Sequence, residues 1–160
     1  MKNEVEILIV DDTPSDVELT VLSLRRAKLA NKIDILEDGQ QALDFLFCRG
    51  KYSDRSFSDP PRVILLDLKM PRVGGIEVLR AVRGDPRTRA IPIVVLTSSK
   101  EQHDLVESYN LGVNAYIEKP VDFERFREVV EQIGLFWLVV NEPPPSDCFG
   151  GACARPPSTA

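Results

Sequence analysis

Several things are scarce in these 160 residues. There are three cysteines, Cys48, Cys148 and Cys153, an odd count. The last two are spaced C-x₄-C with no further Cys or His nearby to complete a tetrahedral site, which argues against zinc. No apolar run approaches the roughly 20 residues needed to span a bilayer, so a membrane span is not expected. Met1-Lys2-Asn3-Glu4 leads directly into a short strand-like segment, without an apolar stretch and a small-residue cleavage site. No secretory leader is expected, and the expected compartment is cytoplasmic. Basic clusters are also missing: the net charge is −5. Nucleic-acid binding draws on several Lys/Arg contacts to phosphates, so that class is disfavoured. The pair Arg25-Arg26 reads as a solvated helix face.

What is present fits one ordinary globular domain, with 43% hydrophobic and 28% charged residues. A chain of about 150 residues buries roughly 68–70% of its unfolded surface, enough for its own core.

Val5-Glu6-Ile7-Leu8-Ile9-Val10 is a short, nearly continuous β-branched run, as a strand covered on both faces of a parallel sheet requires. Thr13-Pro14-Ser15-Asp16 then offers a hydroxyl cap, a proline at the first helical position and an acid three residues on, predicting a helix to about Leu29. Ile33-Asp34-Ile35-Leu36 alternates, which suits a less buried edge strand. From Gly39 onward Ala42, Phe45 and Leu46 share a helical face. Residues 63–66 form another buried-type strand. After Gly74-Gly75, Ile76, Leu79 and Val82 repeat at helical spacing before Pro86. Residues 91–96 and 113–117 predict two more strands, with a helix around Leu105, Val106 and Tyr109 between them. Phe123, Phe126, Val130 and Ile133 mark a final amphipathic helix.

The pattern is therefore (βα)₅, and strict alternation implies a doubly wound α/β parallel sheet with helices on both faces. Two segments fall outside it: polar residues 49–62, and a Pro/Gly/Ser-rich stretch over 142–160 that is expected to be a disordered tail. Residues 1–141 form the expected domain, with a core over 4–134 and an extension over 135–141.

In an open parallel sheet, ligands bind outside the carboxyl ends of the strands. There this sequence has Asp11-Asp12, Asp67, Thr97 and Lys119-Pro120. Three carboxylates within about 4–5 Å would cost roughly 3–4 kcal/mol per ionised pair at an effective dielectric near 20, so they need a cation or a proton. Oxygen-only ligands with room for water and a phosphate suit Mg²⁺. A carboxylate beside such a metal can attack phosphorus, with a lysine ammonium neutralising the equatorial oxygens. Taken singly, each residue has a bland reading: Asp as a helix cap, Thr as a turn former, Lys as a solvated charge. Their joint occurrence at successive strand ends is much harder to assign to chance.

Val10-Asp11-Asp12, Leu65-Leu66-Asp67-Leu68-Lys69-Met70-Pro71, Val95-Leu96-Thr97-Ser98-Ser99 and Tyr116-Ile117-Glu118-Lys119-Pro120 resemble the receiver domain of two-component response regulators, over roughly residues 4–134. The resemblance implies a flavodoxin-like strand order 2-1-3-4-5. It implies Asp67 as phosphoacceptor, and Mg²⁺ held by Asp12, Asp67 and the main-chain carbonyl of Lys69, with Asp11 acting through the metal's water. It also makes Lys119 and Thr97 partners of the phosphoryl group, and Tyr116 the aromatic that turns inward when Thr97 moves. Lys69 and Ser99 occupy family positions that influence the lifetime of the acyl phosphate. By this resemblance the protein is a signalling switch, and not an enzyme acting on a separate substrate.

No output-sized segment follows residue 134, so the output is expected to come from the receiver's own surface. His103, alone and near the start of the fourth helix, gives no sign of self-phosphorylation. The expected donor is a phosphohistidine on a separate sensor kinase or phosphotransfer protein. The lengthened 49–62 segment and Gly134-Leu135-Phe136-Trp137-Leu138 bear a weaker resemblance to stand-alone receivers that serve phytochrome-type kinases. Phe136 and Trp137 either fold back on the core or form an apolar patch for a homodimer. Three other readings compete. A phosphorylation-independent interaction module keeps the fold without the chemistry. An aspartate-nucleophile phosphatase would want D-x-D after the first strand, where Thr13 and Pro14 follow Asp12. A flavodoxin-like cofactor protein shares the fold but would want a Gly/Ser/Thr-rich loop after the first strand, where Asp11-Asp12 would repel a phosphate unless a metal intervened.

Overall fold

A computed structural model describes residues 6–29 and 32–149. Along the chain run β1 (Ile7–Val10), α1 (Pro14–Arg26), β2 (Ile33–Leu36), α2 (Gly39–Leu46), β3 (Val63–Leu66), α3 (Gly75–Gly84), β4 (Ile93–Thr97), α4 (Gln102–Asn110), β5 (Ala115–Glu118) and α5 (Phe123–Gly134). The strands form one parallel sheet in the order β2-β1-β3-β4-β5, as expected. Every residue of β1, β3 and β4 is buried. Period-two alternation splits each strand between two apolar layers, which is why these segments read as continuous hydrophobic runs. Leu8, Val10, Ile64 and Leu66 join Phe45 of α2 and Leu79 of α3 in one layer. Ile7, Ile9, Val63 and Leu65 join Leu24 of α1 and Val130 of α5 in the other.

Three local expectations are corrected. Helix α1 ends at Arg26 and not near Leu29, because Lys28 takes φ 56° and the Leu29 amide turns back to the Leu24 carbonyl, a left-handed helix stop. Thr13 occupies the cap position, but its side chain makes no capping hydrogen bond. Asp11 Oδ1 accepts from the Thr13 amide at 2.9 Å, and Asp16 is drawn to a lysine described below. The stretch beyond Glu142 does not leave the domain at once: Ser146–Phe149 forms a 3₁₀ turn, and Phe149, 2% exposed, joins the Phe45 layer because burying a large ring outweighs the cost of ordering a short segment. Residues 150–160 of the expected tail lie outside the described residues.

The 49–62 segment is tied down by arginines. The Arg55 guanidinium lies 3.7 Å from the Phe45 ring centroid and donates to the carbonyls of Phe45 and Asp59. Arg62 donates to the Leu138 carbonyl at 2.9 Å, joining this segment to the extension after α5. That extension is a π-helical turn, Leu135–Val140, that buries Leu138, stacks Trp137 edge-on against Phe136, and leaves Leu135, Phe136, Val139 and Val140 exposed.

Candidate metal and phosphoacceptor site

Parallel register brings the carboxyl ends of the strands to one edge. Val10 and Leu66 are paired, so Asp11 and Asp67 emerge side by side, and the Asp67 amide donates to the Val10 carbonyl at 2.9 Å. On the far side the Lys119 amide donates to the Thr97 carbonyl at 2.7 Å, aligning the end of β4 with the chain leaving β5. The first residue of α3 sits hard against this edge. A Cβ on Gly75 would lie 2.3 Å from the Asp67 carbonyl oxygen, so only glycine permits the approach.

The Lys119 side chain crosses the crevice. Its Nζ donates to Asp11 Oδ2 at 2.8 Å, to Asp67 Oδ2 at 3.0 Å and to Asp16 Oδ2 at 3.0 Å. Thr97 Oγ1 donates to Asp67 Oδ1 at 2.8 Å, and the Lys69 amide approaches the same oxygen at 3.3 Å. Asp11, Asp67, Thr97 and Lys119 are buried, whereas Asp12 is exposed and has no hydrogen bond or ion pair among the described residues. Burial alone would depress the Lys119 ammonium. The hydrogen bond it donates to Asp11 and the charges of Asp67 and Asp11 outweigh it, holding the ammonium above its ordinary value. Burial pushes the Asp11 carboxyl up, and Lys119 and the Thr13 amide offset only part of that.

One carboxylate oxygen from each of Asp11, Asp12 and Asp67 lies within 4.8 Å of the other two. An all-oxygen donor set with one exposed, uncommitted carboxylate fits a hard divalent cation that keeps part of its water shell. Tyr116 of β5 packs on the Phe45 layer with its hydroxyl buried near Ser99 and lacking a hydrogen-bond partner; burial pushes its phenol up.

The site thus brings together Asp11, Asp12, Asp67, Thr97 and Lys119, with Lys69 and Tyr116 at its border. Sequence reasoning missed the third carboxylate on Lys119, Asp16. Its signal, an acid one turn into α1, was absorbed by the capping pattern. His103 lies in α4, exposed, with Nε2 3.0 Å from Glu101 Oε2. Among the described residues, no helix is long and apolar enough to cross a membrane.

Known proteins match this arrangement. The family model for the response regulator receiver domain matches residues 7–131. Response regulator Rcp1 of Synechocystis sp. (strain ATCC 27184 / PCC 6803 / Kazusa) is 37% identical over 132 residues, 82% of this chain and 88% of Rcp1. The crystal structure of its Mn²⁺-bound form superposes with a TM-score of 0.81 at 36% identity, covering 86% of this chain and 97% of that one. The phosphorylated cyanobacterial phytochrome response regulator RcpA superposes with a TM-score of 0.82 at 33% identity, over 88% and 99% of the two chains. The bacteriophytochrome response regulator RtBRR is 50% identical, with a TM-score of 0.69 over 89% of this chain and 86% of its own. With the fold, the acidic crevice and a family match across most of its length, this chain belongs to the response regulator receiver domain family.

Proposed function

We propose that this protein is a single-domain response regulator that accepts a phosphoryl group on Asp67 from a phosphohistidine of a sensor kinase and so changes its surface for a partner. The observation that carries this reading is the set of donors on Asp67: Lys119 Nζ on one carboxylate oxygen, Thr97 Oγ1 and the Lys69 amide on the other. These contacts fix the orientation of the buried carboxylate. In the transfer, an Asp67 oxygen bonds to phosphorus as the phosphorus–nitrogen bond breaks, its electron pair returning to the donor imidazole. Lys119 and Thr97 then lie beside the new phosphoryl oxygens, and movement of Thr97 changes the space available to Tyr116. Asp12, Asp67 and the Lys69 carbonyl would hold Mg²⁺, with Asp11 acting through its water, and the ion would supply positive charge to the phosphoryl oxygens. Incubation with acetyl phosphate and Mg²⁺ is expected to add one phosphoryl group by intact mass, and EDTA to prevent it. A protein that stays unlabelled would favour the phosphorylation-independent module.

The raised Asp11 carboxyl gives a pH test. Cation binding needs this group ionised, so Mg²⁺ affinity by calorimetry is expected to fall as pH drops through its raised value, starting above the 3.8 of an ordinary aspartate. Affinity that is flat until pH 4 would remove Asp11 from the metal's shell.

A phytochrome-type kinase as partner is supported by the likeness to RcpA and RtBRR. A groove of about 450 Å³ beside the acids, lined by Val17, Val21, Leu22 and Ile35, offers an apolar landing surface for it. The exposed Leu135, Phe136, Val139 and Val140 support a homodimer. Light scattering is expected to show a molar mass that rises with concentration, lost in Trp137→Ala and in Val140→Glu. A constant monomer mass in the wild type sinks the dimer.

A further inference from the structure

Asp104 is a buried carboxylate that the chemistry above does not use. It lies in the first turn of α4, 5% exposed, where helix N–H groups favour negative charge. Ser99 Oγ donates to its Oδ2 at 2.6 Å, Lys69 Nζ lies 3.3 Å from that oxygen, and His103 Nε2 is 3.3 Å from Oδ1. Glu101 Oε2 stands 3.3 Å from the same Lys69 ammonium. Burial would push the Asp104 carboxyl up, but the hydrogen bonds from Ser99 and Lys69 prevail and hold it below the usual carboxylate range.

Lys69 is two residues beyond Asp67, and its amide already approaches Asp67 Oδ1. Its side chain is nonetheless drawn to α4. An exposed ion pair contributes little to stability, so stability alone does not account for a buried carboxylate placed to receive it. A phosphoryl dianion on Asp67, two residues before Lys69 in the chain, would compete with both carboxylates for the ammonium.

We propose that Asp104, together with Glu101, is a positioning residue that latches the Lys69 ammonium onto α4 and keeps it off the phosphoryl group, shortening the life of the acyl phosphate. The inference rests on Asp67 as phosphoacceptor. In hydrolysis the water oxygen bonds to phosphorus and the bond from phosphorus to the Asp67 oxygen breaks. Its electron pair returns to the carboxylate, and both water protons leave with dihydrogen phosphate. The water must approach in line with the breaking bond. A released Lys69 ammonium pairs with the phosphoryl oxygens and obstructs that approach.

The test is the lifetime of the adduct after labelling with acetyl phosphate and Mg²⁺ and removal of the donor, followed by intact mass. Asp104→Asn keeps an oxygen for Ser99, so the start of α4 stays anchored while the ion pair is lost. The Asp104→Asn/Glu101→Gln protein is expected to hold its phosphoryl group at least threefold longer than wild type. Adding Lys69→Ala to either protein is expected to make their lifetimes equal, which a merely structural role for Asp104 would not do. An unchanged or shorter lifetime overturns the latch, and so does an extension that persists without the lysine. No adduct on the wild type would instead overturn the Asp67 reading, and the latch with it.

Discussion

Asp67→Asn is expected to lose the acyl-phosphate adduct entirely in acetyl phosphate and Mg²⁺, while the protein remains folded. The amide has nearly the same shape as the carboxylate, and its oxygen still accepts from Thr97 Oγ1, which stands 2.8 Å from Asp67 Oδ1. It lacks an anionic oxygen to attack phosphorus, and its nitrogen lone pair is delocalised into the carbonyl. The substitution also removes one of the acids around Lys119, a change that relieves repulsion with Asp11 while it weakens the ammonium's set of partners. The thermal midpoint should therefore move little compared with the total loss of labelling. Peptide mapping of the wild-type adduct to residue 67 would complete the assignment. Persistent labelling of the variant would transfer the role to a neighbour, Asp12 being the exposed candidate.

Lys119→Met should have the largest effect on stability. Nζ serves three carboxylates at 2.8, 3.0 and 3.0 Å in a site where the lysine, Asp11 and Asp67 are buried. Removing one partner of a buried ion pair costs roughly 3–5 kcal/mol, because the charges left behind are neither hydrated nor balanced. For a domain of this size that corresponds to a midpoint lower by about 6–20 °C. Thermal melts in metal-free buffer at pH 7 check this, and added Mg²⁺ should restore part of the loss. A variant as stable as wild type without metal would show that water already balances the acids. The pH dependence has a definite sign. The lysine is raised in the folded protein, so its contribution is fully present below about 10.5 and is lost as pH rises through the folded value. Asp11, also raised, favours folding below 3.8, and that contribution is lost as pH rises through its folded value.

The two groups of anions around the site are handled differently. Asp11, Asp16 and Asp67 share a buried lysine reached from the opposite end of the chain, whereas Glu101 and Asp104 share Lys69 at the surface. The first arrangement is strong and fixed. The second is exchangeable, as a contact that yields to a phosphoryl group must be.

The strand and helix alternation was legible because a sheet covered on both faces demands unbroken apolar runs such as Ile7-Leu8-Ile9-Val10 and Val63-Ile64-Leu65-Leu66, and runs this short have few other uses in a globular domain. Asp11, Asp12, Asp67, Thr97 and Lys119 were legible for a related reason: once the strands are placed, parallel pairing carries their carboxyl ends to one edge. What the sequence by itself determined was therefore the architecture and the roster of the crevice. Only the tertiary structure decided that Asp16 turns to Lys119 instead of capping α1, that Asp104 and Glu101 take the Lys69 ammonium, and that Phe149 returns to the core. Each of these depends on partners far apart in the chain, or on a cavity that exists only after the layers have packed. Local spacing encodes neither.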